Sequence, residues 1–426
     1  MKVLMFGWEY PPHITGGLGT ACFGLTKAMV KQGDEVIFIV PKMYGDELFG
    51  GARLVNASDI VVNLSEDFYK QYWHNLSYVE INSTLIPYIG LEDYFNVINQ
   101  RSLNGEGRIT NFSEKKYEFS GKYGKTLLQE VERYALVGAQ IAKNYQYDII
   151  HAHDWLTYKA GVMAKKVSGK KLVIHVHATE FDRSGDNINQ QVYDIERYGM
   201  DEADHIVCVS NFTRNIVINR YNQNPDKVST IYNGANSLLS YDLPIEKTIK
   251  EKVVTFLGRI TFQKGPDYFV EAAHKVLKYE NNVRFVMAGS GDMLNRMIAL
   301  VAKKRISKNF HFTGFLNSDE VKKLYALSDI YVMPSVSEPF GISPLEAIGS
   351  NLPVIISKQS GVSEVLKYAI KVDFWDIDAM ANAIYCLINY DALSKMFISN
   401  GKTEVENIKW ETSAKELRNL YYTLLK

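Results

Sequence analysis

Short apolar runs alternate with amphipathic stretches along most of the chain. The run "KVLMF" (2–6) reads as a strand and leads into the turn-rich "GWEYPPHITGG". Next, "LGTACFGLTKAMVKQG" spaces its apolar residues as a helix does and closes on Gly33, and "EVIFIV" returns to a strand. Residues 44–125 interrupt the pattern with aromatic, Asn- and Ser-rich sequence that reads as loops and short elements built onto the first domain. Alternation then resumes with the helical "KTLLQEVERYALVGAQIAK" and the strands "YDIIHAH", "KLVIHVH", "HIVCVS" and "VSTIYNG".

The stretch "LLSYDLPIEKTIKEK" (238–252) loses the pattern, carries proline and charge, and reads as a linker. A second series follows. "VVTFLGR" is a strand, "PDYFVEAAHKVLKYE" a helix with Pro266 in its first turn, and "VRFVMAGSGD" a strand with a glycine turn. "SDEVKKLYALS" is a helix capped by Ser318, and "DIYVMPS", "PVIIS" and "IKVD" are strands apolar enough to be central. The end, "IKWETSAKELRNLYYTLLK", is one long amphipathic helix. Strand–helix alternation of this kind implies βαβ units and parallel sheets. The pattern predicts an α/β protein of two doubly wound domains with a cleft between them.

Composition agrees with two domains. Of 426 residues, 46% are hydrophobic, more than one compact core usually holds. Lys+Arg and Asp+Glu balance at 48 each, which argues against a nucleic-acid partner. Residues 1–243 carry 24 basic and 28 acidic side chains and the remainder 24 and 20, so the positive excess lies in the second half, where an anionic ligand is expected. Cys22, Cys208 and Cys386 are few and far apart, which fits buried thiols in a reducing compartment. The opening apolar run is too short for a signal peptide, and no segment approaches the ~20 apolar residues that span a bilayer. A cytoplasmic protein without a membrane partner is expected.

Candidate chemistry starts with "SVSEPFGISPLEAIGSN" (335–351), which sets Glu338 and Glu346 eight positions apart around a proline–glycine turn. One reading is a capping box with Ser343 at the N-cap, Pro344 at N1 and Glu346 at N3. The other is a ligand site. Gly341 would let backbone approach an anion, and the amides of Gly341, Ile342, Ser343 and Leu345 would face it at the positive end of the helix. Glu338 would then accept bonds from sugar hydroxyls and Glu346 from a ribose. In "GRITFQKGPD", Arg259 and Lys264 follow a strand and precede a helix, where a guanidinium and an ammonium can grip a diphosphate. Gly16 and Gly17 in "ITGGLG" can offer amides to phosphate, and "AGSGD" (288–292) is either a plain turn or an approach to a nucleobase. The pairs His151/His153 and His175/His177, with Asp154 and Glu180 nearby, each end an apolar strand and can present imidazoles together. Such pairs occur in zinc hydrolases, but the eightfold barrel that usually carries them is absent from the pattern.

Together, "EPFGISPLE", "GRITFQKGPD", "ITGGLG", "HAHDW", "VIHVHATE", "VCVSNFT" and the terminal "KW" helix resemble the retaining glycosyltransferases of GT-B fold, above all the glycogen and starch synthases. The resemblance covers nearly the whole length and is weakest over 44–125. It implies an N-terminal, acceptor-side Rossmann-like domain at 1–240, a C-terminal, nucleotide-sugar-binding Rossmann-like domain at 241–408, and a last helix, 409–426, that crosses back to the first. It also implies transfer of glucose from UDP- or ADP-glucose with retention, to the non-reducing end of an α-1,4-glucan. Carried over residue by residue, Arg259 and Lys264 bind the diphosphate and Gly17 adds an amide. Glu338 contacts the donor sugar, Glu346 the ribose, and His177 lies beside the reacting carbon. No metal and no cofactor beyond the nucleotide-sugar substrate are implied. Two departures stand out: Ile14 replaces the lysine that ADP-glucose-using bacterial synthases carry before Thr-Gly-Gly, and Glu346 is present where they often lack it. Both favour a UDP-sugar and leave room for another acceptor, such as a different polysaccharide, a lipid or a small sugar. Sugar-nucleotide epimerases and glucan phosphorylases share the fold, and a phosphorylase would need a pyridoxal-phosphate lysine.

Overall fold

The computed structural model describes residues 1–13, 16–63, 78–81, 84–87, 116–124, 126–235 and 249–426. Seven strands form one sheet: β1 (Lys2–Phe6), β2 (Glu35–Val40), β3 (Arg53–Asn56), β6 (Ile149–His153), β7 (Leu172–Val176), β8 (His205–Cys208) and β9 (Val228–Thr230). Their order is β3-β2-β1-β6-β7-β8-β9. A separate antiparallel pair joins β4 (Tyr78–Ile81) to β5 (Thr84–Pro87). Six more strands build a second sheet: β10 (Lys252–Leu257), β11 (Val283–Ala288), β12 (Phe310–Gly314), β13 (Ile330–Met333), β14 (Val354–Ser357) and β15 (Ile370–Val372). Its order is β12-β11-β10-β13-β14-β15 and every pair is parallel. Contacts divide the chain into two units: Met1–Val176 with Asp194–Val207 and Leu417–Lys426, and His177–Tyr193 with Cys208–Glu416. No described helix is long and apolar enough to cross a membrane.

In the first unit, β1 lies between β2 and β6 in parallel register, Val3 facing Val36 on one side and Ile149 on the other. Val3 through Phe6 are wholly buried, as strands covered on both faces must be. The helices Leu127–Asn144 and Trp155–Ser168 approach so closely that a Cβ on Gly138 would stand 2.8 Å from the carbonyl oxygen of Ala160. Tyr134, fully buried on the first of them, donates its hydroxyl to the carbonyls of Gly7 and Ile39, 3.0 Å from each. The hydroxyl thus meets the carbonyl just past the end of β1 and one inside β2 that also accepts the Gly7 N–H at 2.9 Å.

In the second unit the strands split their side chains by the period of two. Ile330 and Val332 of β13 enter a core with Val254, Phe256, Phe269 and Phe285. Tyr331 and Met333 enter the opposite one with Val354, Ile356, Leu345 and Ile348. Strand order reverses between β10 and β13, since β11 and β12 continue outward on one side and β13 returns to the other. Parallel sheets bind ligands at the carboxyl ends of strands beside such a switch. The loops leaving β10 and β11 are laced there: Ile260 N–H donates to Ser290 O at 2.9 Å and Met293 N–H to Ile260 O at 3.0 Å.

Several expectations change. β3 makes Arg53–Asn56 an edge strand of the first sheet, inside a stretch that reads as loops. β12 also escapes the pattern, because an edge strand with one buried residue lacks a continuous apolar run. β15 is an edge and not a central strand, with Lys371 exposed at its middle. The helix at Ser318 is capped by Asn317, whose side chain takes the amides of Asp319 and Glu320, each at 3.0 Å. Most of the expected linker, through residue 248, lies outside the described residues, and Lys252 already opens β10.

Gly289 sits at φ +136°, and a Cβ there would stand 1.9 Å from the carbonyl oxygen of Gly258. Gly289→Ala is therefore expected to lower the unfolding free energy by about 2–4 kcal/mol, read from urea denaturation. An unchanged midpoint contradicts this crossing.

Candidate active site

The carboxyl ends of β10 and β13 carry the charged groups. The segment after β10 runs through Gly258 and Arg259 to a short 3₁₀ turn, Phe262–Lys264, and then to Gly265 in the left-handed region at φ +63°. Arg259 is exposed and its guanidinium donates to Gln263 Oε1 at 3.2 Å. Gln263 is buried, and its carbonyl accepts the amide of Val336 at 2.9 Å, which ties this turn to the segment after β13. That tie brings together two residues 74 positions apart: the Lys264 ammonium pairs with the Glu338 carboxylate. Ser335 Oγ donates to the same carboxylate oxygen at 3.2 Å. Glu338 is held by its backbone too, its N–H donating to Gln359 O at 3.0 Å and its carbonyl accepting from Gly361 N–H at 2.9 Å. A nearly buried carboxylate matched to one ammonium is an anchored pair, because removing either partner strands a desolvated charge.

The turn after Glu338 differs from the capping-box expectation. The helix runs Ser343–Gly349 with Ile342 in the N-cap position, so Ser343 is its first residue and Pro344 its second. Ser343 cannot cap, because its hydroxyl accepts a bond from Tyr331 OH at 2.8 Å. Leu345 N–H closes on Ile342 O at 2.9 Å and so leaves the set of open amides. The amides of Gly341, Ile342 and Ser343 have no partner among the described residues. Gly341 adopts φ +100°, and a Cβ there would press to 3.2 Å on Glu338 Cγ and 3.3 Å on Met333 Cε. Glycine is needed at this position both for the turn and for the placement of Glu338.

The Glu346 carboxylate has no hydrogen-bond partner among the described residues. It keeps surface open to water, yet the protein packed around it desolvates the carboxyl and raises its pKa above the usual range.

Gly16 and Gly17 stand at the start of the helix Gly17–Lys31, with Gly16 extended and no side-chain cap. A Cβ on either would meet nothing within 4 Å among the described residues. Packing among the described residues does not require glycine here. Ile14 lies outside the described residues. Of the histidines, His151, His153 and His175 gather, with candidate ligand atoms within 4.8 Å of one another. Both ring nitrogens of His151 are engaged, Nδ1 with Tyr421 OH and Nε2 with His175 Nδ1 at 3.2 Å. That bonding makes the cluster a buried hydrogen-bond chain and leaves His151 poorly suited to a metal. His177 stands one residue past β7, and burial pushes its imidazole down to about 3. It is thus neutral at physiological pH, able to hydrogen-bond but not to add charge.

Solved structures share this fold end to end. Sucrose-phosphate synthase from Thermosynechococcus elongatus matches with a TM-score of 0.71 at 17% identity, over 99% of this chain and 98% of that one. HepE of Anabaena, solved in complex with UDP-glucose, matches with a TM-score of 0.64 at 15% identity, over 99% and 100%. The fold is that of the GT-B glycosyltransferases, built from two Rossmann-like domains. Residues 2–229 match the family model for the starch synthase catalytic domain, and residues 244–404 that for glycosyl transferases group 1. The chain belongs to this glycogen- and starch-synthase-like glycosyltransferase family and is a transferase. Among its relatives are a glycosyltransferase of Methanocaldococcus jannaschii (MJ1607), 29% identical over 99% of this chain and 98% of that protein, and the glycogen synthase of Mycobacterium tuberculosis, 21% identical over 99% and 94%.

The two shifted groups predict opposite pH signatures. His177 stays unprotonated when folded, so the unfolded chain takes up its proton first, and stability falls as pH drops from about 6.5 toward 3. His177→Gln is expected to flatten that part of the acid limb of urea stability, and an unchanged limb contradicts the burial argument. For Glu346 the folded state holds the proton more tightly, so ionisation weakens folding as pH rises past the ordinary carboxyl range. Glu346→Gln should therefore be at least as stable as the parent at pH 7; a clear loss of stability there would give the carboxylate a structural role.

Proposed function

We propose that this transferase moves glucose from UDP- or ADP-glucose to the non-reducing end of an α-1,4-glucan with retention at the anomeric carbon. The observation that carries the reading is the Lys264–Glu338 pair at the β10/β13 switch, with Arg259 beside it. An ammonium next to a carboxylate suits the junction of a diphosphate and a sugar: the cation meets phosphate oxygens and the carboxylate accepts sugar hydroxyls. In this reading Arg259 and Lys264 bind the diphosphate, with amides from Gly16 and Gly17 and from Gly341, Ile342 and Ser343. Glu338 orients the donor glucose and Glu346 accepts from the ribose. The domain built from residues 241–408 is the nucleotide-sugar side, and residues 1–240 with the helix 409–426 the acceptor side. His177, neutral, hydrogen-bonds the sugar beside the reacting carbon.

The bond between C1 and the phosphate oxygen breaks while the acceptor oxygen bonds to C1 from the same face. The acceptor's proton passes to the departing phosphate, which leaves as nucleoside diphosphate. Catalysis rests on positioning and on meeting the charge that develops on that phosphate. Arg259 and Lys264 supply the positive charge, so the reading calls for no metal and no cofactor, and for a cytoplasmic glucan as partner.

Glycogen-dependent release of UDP or ADP from the corresponding nucleotide-glucose is the expected activity. Lys264→Ala or Glu338→Gln should lower it by about 10²–10³, the typical effect of one charge-stabilising group. Release that does not depend on glycogen, or near-parental rates in both variants, overturns the proposal.

A further inference from the structure

Of the four tryptophans among the described residues, Trp8, Trp155 and Trp410 are buried, whereas Trp375 is 58% exposed. It follows β15, at the carboxyl end of the second sheet. Its backbone is fixed on both sides: Asp376 N–H donates to Asp373 O at 2.9 Å and Ile377 N–H to Trp375 O at 3.0 Å. Asp376 then caps the helix Ile377–Asn389 through the amide of Ala379 at 2.9 Å. The ring is braced as well. Phe374 meets it edge to face at 4.8 Å between centroids, and Tyr268 meets Phe374 in the same manner at 5.0 Å. A rigid, water-facing indole contributes little to the core, and holding it in one orientation is what a stacking platform requires.

Polar side chains bond to its neighbours in the chain. Asp373 accepts from Lys358 Nζ and from Gln359 Nε2, each at 2.9 Å, and Gln359 Oε1 takes the amide of Phe374 at 3.4 Å. Lys275 pairs with Asp378 close by in sequence. Each of these lysines thus has a carboxylate partner. Trp375 is also the one exposed large apolar side chain in segments 358–359 and 373–378, which is too little apolar surface for a protein interface or a lipid face. One exposed aromatic face on a segment whose chain neighbours bring an amide, a carboxylate and an ammonium matches a neutral pyranose, whose C–H groups cover a ring while its hydroxyls bond to polar side chains.

We propose that Trp375, with Lys358, Gln359 and Asp373, forms a carbohydrate-binding platform that holds a stretch of polymeric α-glucan. The platform shares its backbone with the reaction site, because Gln359 O takes the amide of Glu338. It stands at the same end of the sheet and uses none of the groups assigned to donor binding. The choice of α-glucan rests on the function proposed above; the platform itself rests on the geometry.

The test is electrophoresis of the full chain in native gels containing glycogen, with Trp375→Ala and Trp375→Tyr beside the parent. Retardation of the parent is expected, with the apparent dissociation constant raised about tenfold in Trp375→Ala and less in Trp375→Tyr. The KM for nucleotide-glucose on a short maltooligosaccharide should not change, and melting should stay within about 2 °C. Parental retardation of a folded Trp375→Ala protein overturns the platform, as does a parent that glycogen does not retard. Retardation that depends on Trp375 without transfer from either nucleotide-glucose supports the platform and removes the proposed function.

Discussion

The second unit is organised around one contact, the pairing of Lys264 with Glu338. Each partner arrives from a different strand end, and each is fixed by backbone bonds that its neighbours' burial enforces. Gln263 joins the two segments, Gly341 leaves room for the Glu338 side chain, and the β10 and β11 loops lock each other in place. Desolvation makes this pair intolerant of losing either member.

The groups near this contact differ in what holds them. Ser343 is bound by Tyr331, and Leu345 by the first turn of its helix, so both serve the scaffold. Glu346 and the amides of Gly341, Ile342 and Ser343 have no such partners among the described residues, and Glu346 bears an electrostatic cost that folding alone does not explain. The proposed transfer reaction uses each of these open groups, together with the paired Lys264 and Glu338.

Much of the fold is written in local pattern. The strands "VVTFLGR" and "DIYVMPS" are continuous apolar runs because both faces of the sheet are covered, and such runs are visible without any structure. Edge strands are not: β12 and β15 bury few residues and Arg53–Asn56 is only four residues long, so their sequences carry little periodic signal. Arg259, Lys264 and Glu338 are legible as candidates because glycine and proline mark their turns. The Lys264–Glu338 contact itself is not, since 74 residues and the strand order of a whole sheet lie between them. Neither Ser343 nor Ser318 fills its helix's N-cap: the capping-box reading fails at the first and Asn317 takes the place at the second. A serine before a helix suits the N-cap, but a tyrosine from β13 in one case and a better-placed asparagine in the other decide who fills that position.

The account is tested most directly by a crystal structure of the full chain with UDP-glucose bound. It predicts the diphosphate within hydrogen-bond distance of Arg259 and Lys264, the glucose hydroxyls on Glu338 and the ribose on Glu346. A nucleotide sugar bound with these four side chains untouched would contradict it.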